Sequence, residues 1–196
     1  MPSVKIFVEG VADKEFLFQY IDSILNKVIS EENIISLQGK DRLKLKVLSK
    51  LEKISNLFLE NTKAGGVNLL IFDANGNKEQ RILELNNLRQ KLGIDFIQFL
   101  LPNDADAGAL ENLLLKIVPS NSSFLTCFND YENCIAKNNN YKSPVLKTKI
   151  YAYLDTLDIA DKGLAKEGNR NYLLSQQWDL GNDYLNPLRD FLLKYL

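Results

Sequence analysis

The sequence predicts an α/β fold: a mainly parallel four-stranded sheet flanked by helices, followed by a helical C-terminal extension. Three observations lead there. Through residue 118, short apolar runs alternate with stretches whose apolar residues recur every three or four positions, a strand–helix repeat. Such a repeat argues for parallel strands joined by right-handed helical crossovers. The runs are apolar throughout rather than alternating, as in a sheet covered on both faces. Beyond Val118 the pattern is all-helical, with no internal repeat and no low-complexity linker. Residues 1–118 are therefore expected to form the α/β core and residues 119–196 a helical extension packed on it, within a single domain.

Each element follows from local pattern. Ile6-Phe7-Val8 is the first strand, and Phe16, Leu17, Tyr20, Ile21, Ile24, Leu25 and Val28 predict a helix after it. Residues 33–37 read as a short second strand, residues 38–40 as a turn, and Asp41 as an N-cap. A helix is expected from Arg42 to Asn61, with Leu43, Val47, Leu51, Ile54 and Phe58 as its apolar stripe. Arg42, Lys46, Lys50 and Lys53, with Lys44 nearby, form a basic face, either a solvated surface or a contact for a phosphate backbone. Val67 to Phe72 is the third strand, and Lys78 to Leu92 a helix with Ile82, Leu85, Leu88 and Leu92 apolar, closed by Gly93. Ile94 to Leu101 is the fourth strand. Helices follow at Phe124–Ala136, Lys147–Leu157 and Tyr184–Tyr195, with a loop over residues 161–171. The last helix turns Leu185, Leu188, Phe191, Leu192 and Tyr195 to the core, and Trp178 is expected to anchor this tail to the sheet.

Composition removes several function classes. A net charge of -1 excludes a strongly basic, non-specific nucleic-acid coat, though not a local basic face. The chain has no histidine, which excludes histidine-based triads, histidine-ligated zinc and imidazole acid–base chemistry. Any general base must be a carboxylate, a lysine, a tyrosine or a metal-bound water. Cys127 and Cys134 lie on one face of a predicted helix two turns apart, too far for an easy disulfide, and are expected to be partly buried small hydrophobes. Met1-Pro2-Ser3 runs directly into the first strand, and no apolar run approaches the roughly 20 residues needed to span a bilayer. A cytoplasmic protein without membrane association is the expectation.

The chemistry is concentrated at strand ends. Ile6-Phe7-Val8 runs into Glu9-Gly10-Val11-Ala12-Asp13, which sets Glu9 at the carboxyl end of a strand and Asp13 near a helix start, where the dipole favours an acid. Gly10 is expected to allow a tight turn. The design recurs at Leu69-Leu70-Ile71-Phe72-Asp73-Ala74-Asn75-Gly76-Asn77. In open parallel sheets ligands sit outside the carboxyl ends of the strands. If strands one and three are neighbours, Glu9 and Asp73 converge, and two converging acids suggest a divalent-cation site.

These residues resemble the Toprim domain, the metal-binding catalytic module of type IA and II topoisomerases, DnaG-type primases and OLD-family nucleases. The family pattern is an apolar strand followed by Glu-Gly-x-x-Asp, then an apolar strand followed by Asp-x-Asp. Glu9-Gly10-Val11-Ala12-Asp13 fits the first motif fully, and Asp73-Ala74-Asn75 fits the second with Asn75 in place of the second acid. The resemblance covers about residues 4 to 115 and implies a Toprim-like, Rossmann-like sheet. The stretch from Leu101 to Leu114 resembles small bacterial Toprim-like proteins related to the OLD nucleases, in which further acids complete a two-metal site. Glu111 best matches such an acid, while also suiting the dipole of its own helix. Asp104 and Asp106 read as turn residues.

The resemblance implies a Mg²⁺- or Mn²⁺-dependent nuclease, acting on DNA or RNA, in phage defence or DNA repair. One or two ions would be held by Glu9, Asp73 and Glu111, with Asp13 orienting the loop or ligating, and Asn75 offering an uncharged amide oxygen. A pair of ions about 3.5–4 Å apart can activate water and stabilise the leaving oxygen of a phosphodiester. Lys147 or Lys149 would neutralise the scissile phosphate, with Lys149 the candidate catalytic lysine beside Glu9 and Asp73. OLD proteins couple Toprim to an ATPase. The chain has no Gly-x-x-x-x-Gly-Lys-Ser/Thr loop, so an ATPase or other protein partner would act in trans. The alternative is a non-catalytic Toprim-like module that binds nucleic acid or a protein. A third reading, a response-regulator or flavodoxin type of domain, requires a fifth strand followed by a lysine, and no fifth strand is legible.

Overall fold

In a computed structural model, described over residues 3–37, 48–120, 122–138, 140–157 and 170–196, the chain folds around a four-stranded parallel sheet. Strands β1 (Val4–Val8), β2 (Ile34–Ser36), β3 (Val67–Asp73) and β4 (Ile97–Leu101) are arranged in the order β2-β1-β3-β4. Helices α1 (Val11–Gln19), α2 (Leu48–Lys63), α3 (Lys78–Leu92), α4 (Leu110–Lys116), α5 (Phe124–Ala136), α6 (Leu146–Thr156) and α7 (Asn186–Tyr195) complete it. This is the expected α/β architecture, and β1 and β3 are neighbours, with Val8 beside Ile71. Among the described residues there is no fifth strand and no helix long and apolar enough to cross a membrane.

Strand side chains alternate between two cores. Ile6, Val8, Leu69, Ile71, Phe99 and Leu101 enter one, with Phe16 and Leu17 of α1, Leu110, Leu113 and Leu114 of α4, Ile150, Tyr153 and Leu154 of α6, and Leu188 and Leu192 of α7. Phe7, Leu70, Phe72 and Leu100 enter the other, with Phe58 of α2 and Leu85 of α3. The extension therefore shares the core of the sheet's first face and folds as part of the same unit. Trp178 is fully buried, packed edge-on against Tyr153 with centroids 5.5 Å apart. The segment before it clamps α1: Gln19 Nε2 donates to the Arg170 carbonyl at 2.9 Å and Gln19 Oε1 accepts from the Tyr172 N–H at 2.8 Å.

Several expectations change. The first helix does not run regularly to Val28. After Gln19 the chain widens into a π-helical turn over Tyr20–Ile24, where the Leu25 N–H reaches the Tyr20 carbonyl at 3.1 Å. The wider turn keeps Tyr20 and Ile21 in the core but turns Ile24 outward, and Asn26 then breaks out at φ 52. Ile24 is 39% and Val28 100% exposed as a result. The fourth strand starts at Ile97, three residues late, because the Ile94 N–H still bonds the Arg89 carbonyl at 3.3 Å in the helix exit. That exit carries the expected left-handed Gly93, at φ 61. Cys127 and Cys134 are exposed rather than buried, since α5 turns Phe128 inward and these two outward. The turn at 38–40, Asp41 and most of the basic face (Arg42, Lys44, Lys46) lie outside the described residues, as does most of the loop at 161–171; Lys53 is exposed.

Truncating Trp178 to alanine should lower the unfolding free energy by roughly 3–5 kcal/mol in urea denaturation, the usual cost of removing a buried indole. A loss under 1 kcal/mol would mean that the tail does not anchor as described.

Candidate metal centre

The strand order places the site. From β1 the chain crosses to β2 on one side and then returns past β1 to β3 and β4 on the other, so the winding reverses between β1 and β3. The crevice at the carboxyl ends of those two strands is where open parallel sheets bind ligands. Glu9 follows β1 directly and Asp73 is the last residue of β3. Both line a cavity of about 300 Å³ with Gly10, Asp13, Asn75, Glu111 and Lys147. The structure thus brings together Glu9, Asp13, Asp73, Asn75 and Glu111, the expected metal set.

Local geometry fixes each acid. Asp13 lies in the first turn of α1, and its Oδ2 accepts from the Gly10 N–H at 2.7 Å, satisfying an orphan donor of the helix start. Gly10 is extended, at φ -129 and ψ 174, so its backbone does not require glycine. What favours glycine is space, since a Cβ there would stand 3.3 Å from Asp13 Oδ2. The Asp73 carboxylate accepts from the Leu110 N–H at 3.1 Å, at the start of α4. In that helix Asn112 repeats the role of Asp13, its Oδ1 accepting from the Ala109 N–H at 2.9 Å.

Crowding shows in the acidities. Burial pushes the Asp13 carboxyl up from 3.8 to about 7, with Glu9 and Glu111 adding to the rise and the Gly10 N–H opposing it. Burial pushes Asp73 up to about 8, reinforced by the charges of Asp13, Glu9 and Glu111 and opposed by the Leu110 N–H. The pocket holds more negative charge than its surroundings solvate.

Arg81, which the sequence reading missed, answers part of that charge. Its Nη2 pairs with Glu9 Oε1, its Nε donates to the Asp73 carbonyl at 3.2 Å, and its Nη1 meets Glu84 Oε2 at 3.1 Å. The guanidinium carbon stands 5.3 Å from the Phe72 ring centroid, and the residue is only 9% exposed. Removing one partner of such a buried pair costs roughly 3–5 kcal/mol. The signal was present, because Arg81 continues the Leu85, Leu88, Leu92 spacing of α3, a charge where the apolar stripe predicts a hydrophobe.

The two lysines separate. Lys147 Nζ lies 3.8 Å from Glu111 Oε1 at the cavity. Lys149, the candidate catalytic lysine, stands elsewhere: its Nζ donates to Asn129 at 3.0 Å and Glu132 at 2.9 Å and lies 4.9 Å from the Phe128 ring centroid. Two residues along a helix turn a side chain by about 200°, so only one of the pair can face the acids. Asn75 lines the same cavity and is held there by its own bonds. It adopts the left-handed φ of 57, its N–H donates to the Gly108 carbonyl at 2.7 Å, and its side-chain amide donates to the Asp73 carbonyl at 3.3 Å. An aspartate could not make that last bond. Asp104 and Asp106 are exposed turn residues, with Asp104 Oδ1 accepting from the Leu100 N–H at 3.0 Å.

Glu9, Asp13, Asp73 and Glu111 are hard oxygen donors of the kind Mg²⁺ and Mn²⁺ take. Among the described residues, no three acids are grouped closely enough to hold one ion as they stand. Three acids are instead held by intramolecular partners: Glu9 by Arg81, Asp13 by Gly10 and Asp73 by Leu110. The donor chemistry fits a divalent ion: Asp13 and Asp73 each keep lone pairs beyond one N–H bond, and Glu9 is the acid whose oxygen a cationic side chain holds.

The raised acidities give a signed prediction for the protein in chelator. Asp13 and Asp73 hold protons in the folded state that the unfolded chain releases near pH 4, so stability is greatest below that pH and falls as pH rises through about 7 and 8. Urea midpoints should decline from pH 4 to pH 8.5, most of the fall being complete by about pH 8. Asp73→Asn keeps an acceptor for the Leu110 N–H and should remove much of that slope; equal slopes in the two proteins would refute the assignment. No protein-family model matches the chain, and no curated protein or solved structure matches it.

Proposed function

We propose that this chain is a divalent-cation-dependent phosphodiester-cleaving enzyme of the Toprim type, acting on nucleic acid. The observation that carries the reading is the convergence of Glu9 and Asp73 at the carboxyl ends of neighbouring parallel strands, where the chain winding reverses. Bound Mg²⁺ or Mn²⁺ would supply an activated water and a counter-charge for the leaving oxygen. Glu9 and Asp73 would hold it, with Glu111 completing the set from the start of α4. Asp13 would position the turn after β1 through its bond to the Gly10 N–H. Lys147, at the rim beside Glu111, replaces Lys149 as the residue offered to a substrate phosphate.

A second reading is a non-catalytic module that binds nucleic acid or a protein partner. Two observations favour it: Glu9 is already paired with Arg81, and the Asn75 amide is engaged with the Asp73 carbonyl.

Calorimetric titration of Mg²⁺ and Mn²⁺, with a supercoiled-plasmid nicking assay, separates the two. The enzyme reading expects wild type to bind and nick and Glu9→Gln to lose about 100-fold or more of the nicking rate. Wild type that binds no cation at millimolar concentration sinks it. Cation and nucleic-acid binding without cleavage supports the module.

A further inference from the structure

We propose that Arg81 is the resident counter-cation of the acid cluster, seated on Glu9 in the metal-free protein and displaced toward Glu84 when a divalent ion binds. The inference rests on the reading of the cluster as a cation site and says what that site holds before the ion arrives.

Three features of the geometry support it. The first is where Arg81 sits: its Nη2 is on Glu9, the buried carboxylate at the strand end, so a cation competes with a fixed positive charge for the same oxygens. Second, the guanidinium has another carboxylate in hand. Glu84 Oε2 is 3.1 Å from Nη1 and its side chain is 53% exposed, so leaving Glu9 does not strand Arg81 as an unpaired buried charge. Third, the base of the fork is tethered by the Asp73 carbonyl and the Phe72 ring, which allows the end of the side chain to turn while α3 stays packed. Beside it lies a second cavity of about 330 Å³, lined by Asn75, Gly76, Asn77, Gln80 and Glu84, with room for the displaced fork.

The arrangement answers an electrostatic difficulty. Four acids at one crevice would repel one another in the absence of a cation. Glu9 meets it with arginine, which cannot deprotonate. Arg81 thus sets a threshold: an ion occupies the crevice only where its free concentration outcompetes the internal pair. Arg81 acts here as a positioning residue for Glu9, and its effect is read in cation affinity rather than turnover.

Mn²⁺ is titrated by calorimetry into wild type, Arg81→Met and Arg81→Lys, with the fold of each checked by circular dichroism melting. Arg81→Met should bind Mn²⁺ about tenfold tighter than wild type, or more. Arg81→Lys keeps the charge but not the fork that spans Glu9 and Glu84, and should fall between the two. If Arg81→Met does not fold, tighter binding by Arg81→Lys carries the test and unchanged binding overturns the proposal. Binding by Arg81→Met alone supports it. Wild type that binds Mn²⁺ while Arg81→Met binds equally or more weakly overturns it and leaves the cation site standing. Silence from all three proteins overturns the cation site as well.

Discussion

The acid cluster depends on one topological fact, the reversal of chain winding between β1 and β3. A sheet ordered β2-β1-β3-β4 is laid down outward from that central pair in both directions. The loops leaving β1 and β3 diverge toward opposite faces, α1 to one core and α3 to the other. Had β3 paired outside β2, Glu9 and Asp73 would stand two strands apart, about 10 Å, and no shared crevice would exist. Parallel pairing also removes water from both faces, and this makes the acids at the strand ends costly to ionise.

Each acid also carries a structural task. Asp13 closes the first turn of α1 and Asp73 ties β3 to the start of α4. Asn112 performs the Asp13 task in α4 with a neutral side chain. Capping alone therefore does not require a charge at Asp13, since an amide serves equally in the equivalent turn. An ionisable side chain at Asp13 is surplus to the fold, and a buried acid with a perturbed acidity in a crevice marks a candidate functional position.

The fold was legible because its signals are redundant. Lys78–Leu92 and Phe124–Ala136 run as expected, since periodicity, Gly93 and the turn before Lys78 agree for the first, and an amphipathic pattern bounded by serines and asparagines marks the second. What the sequence hid is of two kinds. Backbone departures such as the π-helical turn at Tyr20 depend on tertiary packing and leave no local mark. Partner choice is likewise nonlocal: Lys147 and Lys149 are equivalent as letters, and only the phase of α6 sends one to Glu111 and the other to Glu132. Arg81 lies between these kinds. Its misplaced charge was visible in the stripe of α3, but its partner Glu9 is 72 residues away in the chain.

The clamp between Gln19 and residues 170–172 bears on how the protein is made. The first turn of α1 is also touched there, the Tyr172 hydroxyl donating to the Ala12 carbonyl at 3.4 Å. Residues from the beginning of the chain thus wait for residues near its end before α1 is covered. Tyr172 follows Ala12 by 160 residues, so at about 5–20 residues per second Glu9 and Asp13 would wait about 8–32 seconds in translation for that cover. The turn after β1 is thus covered only when residues 170–172 are in place, and a chain cut before Arg170 would carry Glu9 and Asp13 beside an uncovered helix.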